Sequence, residues 1–317
     1  MSATADISRR QAWLMAARPQ TLPAGGAPVV IGVALAVADG VFALLPAVAA
    51  LVGAVLIQIG TNFANDYYDA VNGADTEDRE GFTRVTAGGL IEPGRVKLAM
   101  IGTYAVAVVV GLYLVYLGGV LILVVGLSSI LAGVLYTGGP YPYGYYGLGD
   151  LFVFVYFGLV AVAGTYYVQA VTTVSSGAFP LTVPANTVPA ASVLGGTAAG
   201  ALATCVLVIN NIRDLETDRA TGKRTLAVML GYRFSRVEFV GLLVAAYAVP
   251  PVLWLVSGYH PAVVLPLVSV PLAAKIAGVV VETTDGERLN PALERTGQLL
   301  ALYAVLFAVG LAGPEVI

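Results

Sequence analysis

Charge is what this sequence lacks. Of its 317 residues only 11% are charged, against roughly 25% in soluble globular chains. Hydrophobic residues make up 58%, and mean hydropathy is +0.85. So few charges cannot cover a soluble protein of this length, which leaves an integral membrane protein. The single cysteine, Cys205, excludes an intramolecular disulfide and a cysteine-based metal cluster. The single histidine, His260, excludes a multi-histidine metal site. A net charge of −3 argues against nucleic acid as a partner. The first twenty residues, MSATADISRRQAWLMAARPQ, are basic but hold no short apolar core with a small-residue cleavage site. They read as a cytoplasmic amphipathic lead-in rather than a signal peptide.

The uncharged stretches set the architecture. Twenty residues separate Arg18 from Asp39, and 26 separate Asp39 from Asp66. The gap from Lys97 to Asp150 is 52 residues and that from Asp150 to Arg213 is 62. A helix crosses the bilayer in about 20 residues, so each of the long gaps holds two crossings. The pattern predicts nine apolar spans, at about 20–38, 42–64, 98–116, 119–136, 150–171, 190–211, 237–257, 261–281 and 297–314. Such continuous runs do not fit the alternating strands of a membrane barrel. The expected fold is an all-α polytopic membrane protein. It forms a single transmembrane domain over 1–317, with pseudo-repeat halves at about 20–136 and 150–281 and a ninth helix at about 297–314.

Basic residues orient the spans. With the N-terminus inside, fifteen of the sixteen Lys and Arg fall on the N-terminus or the loops after spans two, four, six and eight. The remaining one, Lys275, lies near the inner end of span eight and can snorkel to that face; it could instead meet a substrate carboxylate. The expectation is N-in, C-out, in the cell membrane. The loop 137–149 is then inside, yet it is uncharged and dense in Gly and Tyr, which suits a surface facing a ligand.

Two segments carry the chemistry. Residues 62–90 read NFANDYYDAVNGADTEDREGFTRVTAGGL, and residues 210–231 begin NNIRDLETDRATGKRTLAV. Asn62, Asp66 and Asp69 share one helical face, with Asp75 in the loop after Gly73. Asn210, Asp214 and Asp218 also share a face, on a helix that Gly222 ends. The two Asn-x3-Asp units lie 148 residues apart at the cytoplasmic ends of apolar spans. Any one of these acids could be a solvated helix end paired with a nearby arginine; recurrence at equivalent depth favours a site. Carboxylates at membrane depth need partners. Hard oxygen donors suit Mg²⁺, which takes a few carboxylates plus substrate phosphates, and Arg79, Arg84, Lys223 and Arg224 suit phosphate oxygens. The combination describes a diphosphate site, and within a bilayer the natural diphosphate has a lipid tail.

These segments resemble the two Asp-rich motifs of the UbiA superfamily of intramembrane prenyltransferases. QIGTNFANDYYDAVNGADTEDR, RVTAGGLI, YTGGPYPYGYYGLGD, NNIRDLETDRATGKRTLAV and the N-terminal ARPQTLPA are similar, more narrowly, to its MenA branch, the 1,4-dihydroxy-2-naphthoate polyprenyltransferases. The first motif departs from the superfamily's N-x3-D-x3-D, with Ala70 in the third position and Asp69 and Asp75 as the extra carboxylates. A lysine found after the fourth span in some relatives is also missing, the sequence there being Tyr136-Thr-Gly-Gly-Pro140.

The resemblance implies a nine-helix bundle around a central cytoplasm-side cavity. It also implies transfer of a polyprenyl group from an all-trans polyprenyl diphosphate to 1,4-dihydroxy-2-naphthoate, with loss of CO₂ to give demethylmenaquinone. Asp66, Asp69, Asp214 and Asp218 would hold Mg²⁺, with Asp75 a further candidate. Asn62, Arg79, Arg84, Tyr136, Asn210, Lys223 and Arg224 would bind substrate. Tyr67, Tyr68, Tyr136, Tyr141 and Tyr143 are candidates to face the allylic cation, the alternative for any one of them being a tyrosine of the membrane-interface belt. Two alternatives stay open: a related enzyme with another acceptor, such as homogentisate, hydroxybenzoate or a glycerol-phosphate lipid, and a transporter, which would also show pseudo-repeats and intramembrane charge.

The charge-based orientation has a direct test. A cysteine placed within 176–186 is expected to label with an impermeant thiol reagent on intact cells. One at 85–90 should label only after permeabilisation, and the reverse pattern would invert the topology.

Overall fold

A computed structural model describes residues 7–73, 85–174 and 177–316, with side chains through Gly313. Those residues are helical with no strand. Helix α1 (Arg9–Ala17) opens on a capping box in which Ser8 and Gln11 satisfy each other's backbone N–H. It ends at Arg18, whose left-handed φ of 50° turns the chain into α2 (Leu22–Ala38). Helix α3 (Leu44–Val71) follows and stops where Asn72 caps it and Gly73 turns at φ +67°.

Among the described residues, eight helices are long and apolar enough to cross a membrane, and one of them makes two crossings. Pro93–Leu135 has 43 residues, ~65 Å at the helical rise, about twice the hydrocarbon thickness. It is interrupted at Gly119, with φ 63° and ψ −146°. The Tyr104 hydroxyl lies 2.7 Å from where a Cβ on Gly133 would sit, whereas a continuous helix would hold those residues ~43 Å apart. The chain therefore reverses at Gly119, giving α4 (93–118) and α5 (120–135). The loop after the next span closes this reversal, as Phe179 N–H donates to Tyr116 O at 2.8 Å and Val120 N–H donates to Pro180 O at 3.2 Å. The nine expected spans are thus found among the described residues.

Helix α6 (Gly149–Val174) contains a π-helical turn, Val155–Val160. Helix α7 (Ala190–Arg213) is the centre of the bundle and packs on α2, α6, α9 and α11. Small side chains permit this. A Cβ on Gly158 of α6 would stand 2.5 Å from the Gly200 Cα, so the two backbones nearly touch. Short α8 (Leu215–Ala220) follows, then α9 (Leu226–Leu255), interrupted at Gly231. Helices α10 (Pro261–Glu282) and α11 (Gly286–Val316) complete the chain. Leu98, Val109, Val124, Val244 and Leu255 are among the exposed apolar residues that form the lipid-facing belt. At the end opposite the acidic motifs, Asp39 accepts hydrogen bonds from Tyr166 at 2.7 Å and Tyr259 at 2.8 Å, tying three elements together.

The structure corrects one local expectation. The second motif is not one continuous helix, because Asp214 leaves helical geometry at φ −90° and ψ 6°. The hydrogen bonds Asp214 N–H to Asn210 O (2.9 Å) and Asp218 N–H to Asp214 O (2.7 Å) still carry the chain through.

Gly119 occupies a backbone region that side chains avoid at a cost of about 1–3 kcal/mol, and a Cβ there would run into the Pro180 carbonyl. Gly119→Ala is expected to lower the thermal unfolding midpoint in detergent. Gly102→Ala, at an open position on α4, should lower nothing, since alanine favours helix over glycine by up to ~1 kcal/mol.

Candidate functional site

One cavity of about 460 Å³ runs along α3, α4, α5 and α6, with its polar end at the acidic motifs. Asp69, Asn210, Asp214, Asp218 and Lys223 line that end, together with Arg18 and Arg213. Tyr136, Tyr143, Tyr145, Phe152, Tyr156 and Phe157 form an aromatic collar above it. Ala50, Leu112, Val115, Ile122, Leu127 and Val168 line the far, apolar end. On α3 the distance from Asp69 to Ala50 is ~28 Å by helical rise, close to a bilayer's apolar depth. Leu112 and Leu127 line the cavity and are also 60% and 54% exposed.

Asp66, Asp69, Asp214 and Asp218 each have a partner within the chain. Asp66 accepts from Thr86 through its hydroxyl and its backbone N–H (3.2 Å), and Arg18 stands 4.0 Å away. It is held behind the cavity wall rather than lining it. Asp69 accepts from the Tyr145 hydroxyl. Asp214 is gripped bidentately by Arg213, at 2.6 and 2.8 Å, and Arg213 also donates to Asn290 of α11 at 2.8 Å. Asp218 pairs with Lys223 at 3.7 Å, and that ammonium lies 4.8 Å from the Tyr145 ring centroid. Burial and nearby carboxylates push the Tyr136 phenol up, and burial pushes up that of Tyr143, so both stay protonated at neutral pH. The Tyr143 hydroxyl donates to Ala132 O at 2.7 Å.

Other expected residues take different places. Asp75, Arg79 and Arg84 lie outside the described residues. The Arg224 side chain is exposed outside the cavity lining, and its contribution is a backbone N–H donated to Tyr145 O at 2.7 Å. Asn62 lines the cavity, but its amide N–H groups go to Ala17 O and the Thr21 hydroxyl, both at 2.9 Å, fastening the α1–α2 junction to α3. Tyr67 and Tyr68 pack on each other outside the cavity lining, with Lys97 5.6 Å from the Tyr67 centroid. Tyr141 stacks on exposed Tyr146 away from the cavity. Lys275 is exposed on α10 and does not line the cavity. Residues that sequence reasoning missed are Arg18, Thr86, Tyr145 and Arg213. Only the clustering of Gly and Tyr in the loop 137–149 pointed toward any of them.

Among the described residues, no three carboxylate, histidine or cysteine groups converge into a ready metal site. The donors around the polar end are nonetheless hard carboxylate oxygens. His260 is at the opposite end beside Tyr259, and Cys205 is buried within α7. That donor set fits Mg²⁺ bound through a few carboxylates with phosphate oxygens completing its sphere.

Comparison with known proteins covers the whole bundle. The UbiA prenyltransferase family pattern matches residues 26–303. The 1,4-dihydroxy-2-naphthoate octaprenyltransferase of Escherichia coli is 40% identical over 312 residues, spanning 96% of each chain. The protein of the same name from Mycobacterium tuberculosis is 39% identical over 300 residues, 95% of this chain and 96% of its own. The solved structure of a UbiA homologue from Archaeoglobus fulgidus bound to DMAPP and Mg²⁺ matches with a TM-score of 0.60 at 15% identity, covering 95% of this chain and 99% of that one.

The Arg213–Asp214 pair is buried, the arginine side chain being 1% exposed. Arg213→Ala would remove the bidentate partner of a buried carboxylate, at a cost of about 3–5 kcal/mol. Arg219 and Glu216 form an exposed pair, and Arg219→Ala should cost ~1 kcal/mol or less. Thermal unfolding of both variants in one detergent measures the contrast; equal shifts would contradict it.

Proposed function

Since the chain belongs to the UbiA prenyltransferase family, we propose that it transfers a polyprenyl group from an all-trans polyprenyl diphosphate to 1,4-dihydroxy-2-naphthoate, with loss of CO₂. Demethylmenaquinol, the reduced form of demethylmenaquinone, is then the immediate product, within menaquinone biosynthesis. The observation that carries this reading is the joining of acids, cations and aromatic faces at one end of an apolar cavity of bilayer depth. The naphthoate acceptor rests on likeness to the Escherichia coli and Mycobacterium tuberculosis enzymes along their whole length.

The residues divide the work by chemistry. Asp69, Asp214 and Asp218, with Asp66 behind them, would hold Mg²⁺. When bound, that ion supplies positive charge against the developing diphosphate. Lys223 already lies at this end and adds a cation of the protein's own. The bond between the allylic carbon and the diphosphate oxygen breaks with its electron pair leaving on oxygen. The collar of Tyr136, Tyr143, Phe152 and Tyr156 presents ring faces to the resulting allylic cation, each worth about 0.5–2 kcal/mol. The tail extends along Val115, Ile122 and Val168. Attack by the electron-rich naphthoate ring forms the new carbon–carbon bond. Departure of the carboxylate as CO₂ returns its bonding pair to the ring, so no histidine base is needed. The site faces the cytoplasm in this reading, and the exposed side chains of Leu112 and Leu127 on the cavity lining suit lipid entry from the side.

Purified protein in lipid vesicles, given the naphthoate and a polyprenyl diphosphate, is expected to yield the prenylated, decarboxylated product by mass. EDTA should stop the reaction and added Mg²⁺ restore it; full turnover in EDTA would remove the metal from the scheme. If the two motifs act as a unit, Asp66→Asn with Asp214→Asn should be barely slower than the worse single variant. Losses that multiply would instead mean two independent clusters.

A further inference from the structure

We propose that Tyr145 is a positioning residue that yokes the two acidic motifs into one site; the proposal rests on the prenyl diphosphate reading above. Tyr145 is 76 residues from Asp69 in sequence, yet its hydroxyl donates to the Asp69 carboxylate. Its ring carries the Lys223 ammonium at 4.8 Å, and the same ammonium pairs with Asp218 at 3.7 Å. The unbroken path Asp69–Tyr145–Lys223–Asp218 therefore joins the first motif to the second through one loop side chain.

The loop backbone is fastened so that this side chain stays in place. Tyr145 N–H donates to Pro142 O at 2.9 Å, and Tyr145 O accepts from Arg224 N–H at 2.7 Å. Lys223 N–H donates to Asp218 O at 2.9 Å, so the second motif holds the loop by its own backbone. Gly147, at φ +75°, passes the Arg224 carbonyl closely enough that a Cβ there would lie 3.3 Å from it. The loop thus belongs mechanically to the second motif, and the hydroxyl is its reach to the first. A hydrogen bond to Asp69 Oδ1 orients that carboxylate, as outer-sphere donors do for metal-binding carboxylates. The ring face holds Lys223 beside the diphosphate position.

The two parts of the side chain separate experimentally. Mn²⁺, as a paramagnetic stand-in for Mg²⁺, is titrated by EPR into the full-length protein in nanodiscs, with inorganic diphosphate as the anion probe. Tyr145→Phe should weaken Mn²⁺ binding about tenfold and leave metal-free diphosphate binding unchanged, because the ring under Lys223 remains. Tyr145→Leu should weaken both. A Tyr145→Phe variant that binds Mn²⁺ like the wild type would overturn the yoke. Wild-type protein that binds neither probe would overturn the diphosphate reading instead. Hydrogen exchange without ligands then decides the yoke alone: in Tyr145→Leu, residues 143–148 and 223–225 should exchange faster together, and unaltered exchange at 223–225 would refute it.

Discussion

Four carboxylates crowd one end of a bundle that is otherwise apolar, and the architecture around them is arranged to meet their charge. A buried carboxylate without a partner is unfavourable by several kcal/mol, so each acid is met by a cation or hydrogen-bond donor of the chain. Arg18 approaches Asp66 from the junction of α1 and α2, and Arg213 turns back on Asp214 while holding Asn290 at the start of α11. Lys223 folds over Asp218 from the loop beyond α8. These pairings explain local backbone choices that look costly in isolation. Arg18 takes a left-handed conformation that disfavours side-chain residues by about 1–2 kcal/mol, and in doing so brings its guanidinium toward α3. Asp214 leaves helical geometry where its carboxylate meets the adjacent arginine.

Neutralisation from within also shapes how the site would accept a ligand. The polar end is not a preformed cage of three or more converging acids among the described residues. It is a set of ion pairs and hydrogen bonds, and in the proposed function its cations would meet the phosphate oxygens. An incoming metal diphosphate brings both charges at once, so it can exchange partners with the existing pairs without exposing either sign to the apolar interior.

The spans, the hairpin hidden in the longest helix and the placing of the acids at one end were legible because they depend on local quantities. A 52-residue interval without charge requires two crossings, and Gly73 and Gly222 mark helix ends by their left-handed backbone. The partners of the acids were not legible. Thr86 reaches Asp66 across 20 residues and Tyr145 reaches Asp69 across 76. No periodicity encodes such contacts, which arise only when loops are laid over helix ends. The tyrosines show the same boundary. The sequence places Tyr67, Tyr68, Tyr136, Tyr141 and Tyr143 in one class, yet of these only Tyr136 and Tyr143 line the cavity, because helical phase and loop geometry decide the rest. Asn62 shares a face with the acids as its spacing requires, but its amide is committed to fastening α1 and α2 to α3.

The exposed Leu112 and Leu127 on the cavity lining bear on what concentration means for this protein. A substrate tail that enters between those side chains arrives by diffusion in a plane, and its supply is counted as a mole fraction of lipid rather than as moles per litre of water. Diluting the vesicles with buffer leaves that fraction unchanged; diluting the membrane with inert lipid lowers it. In the proposed reaction an aromatic acceptor arriving from water obeys the opposite rule, and the bundle is the place where those two spaces meet.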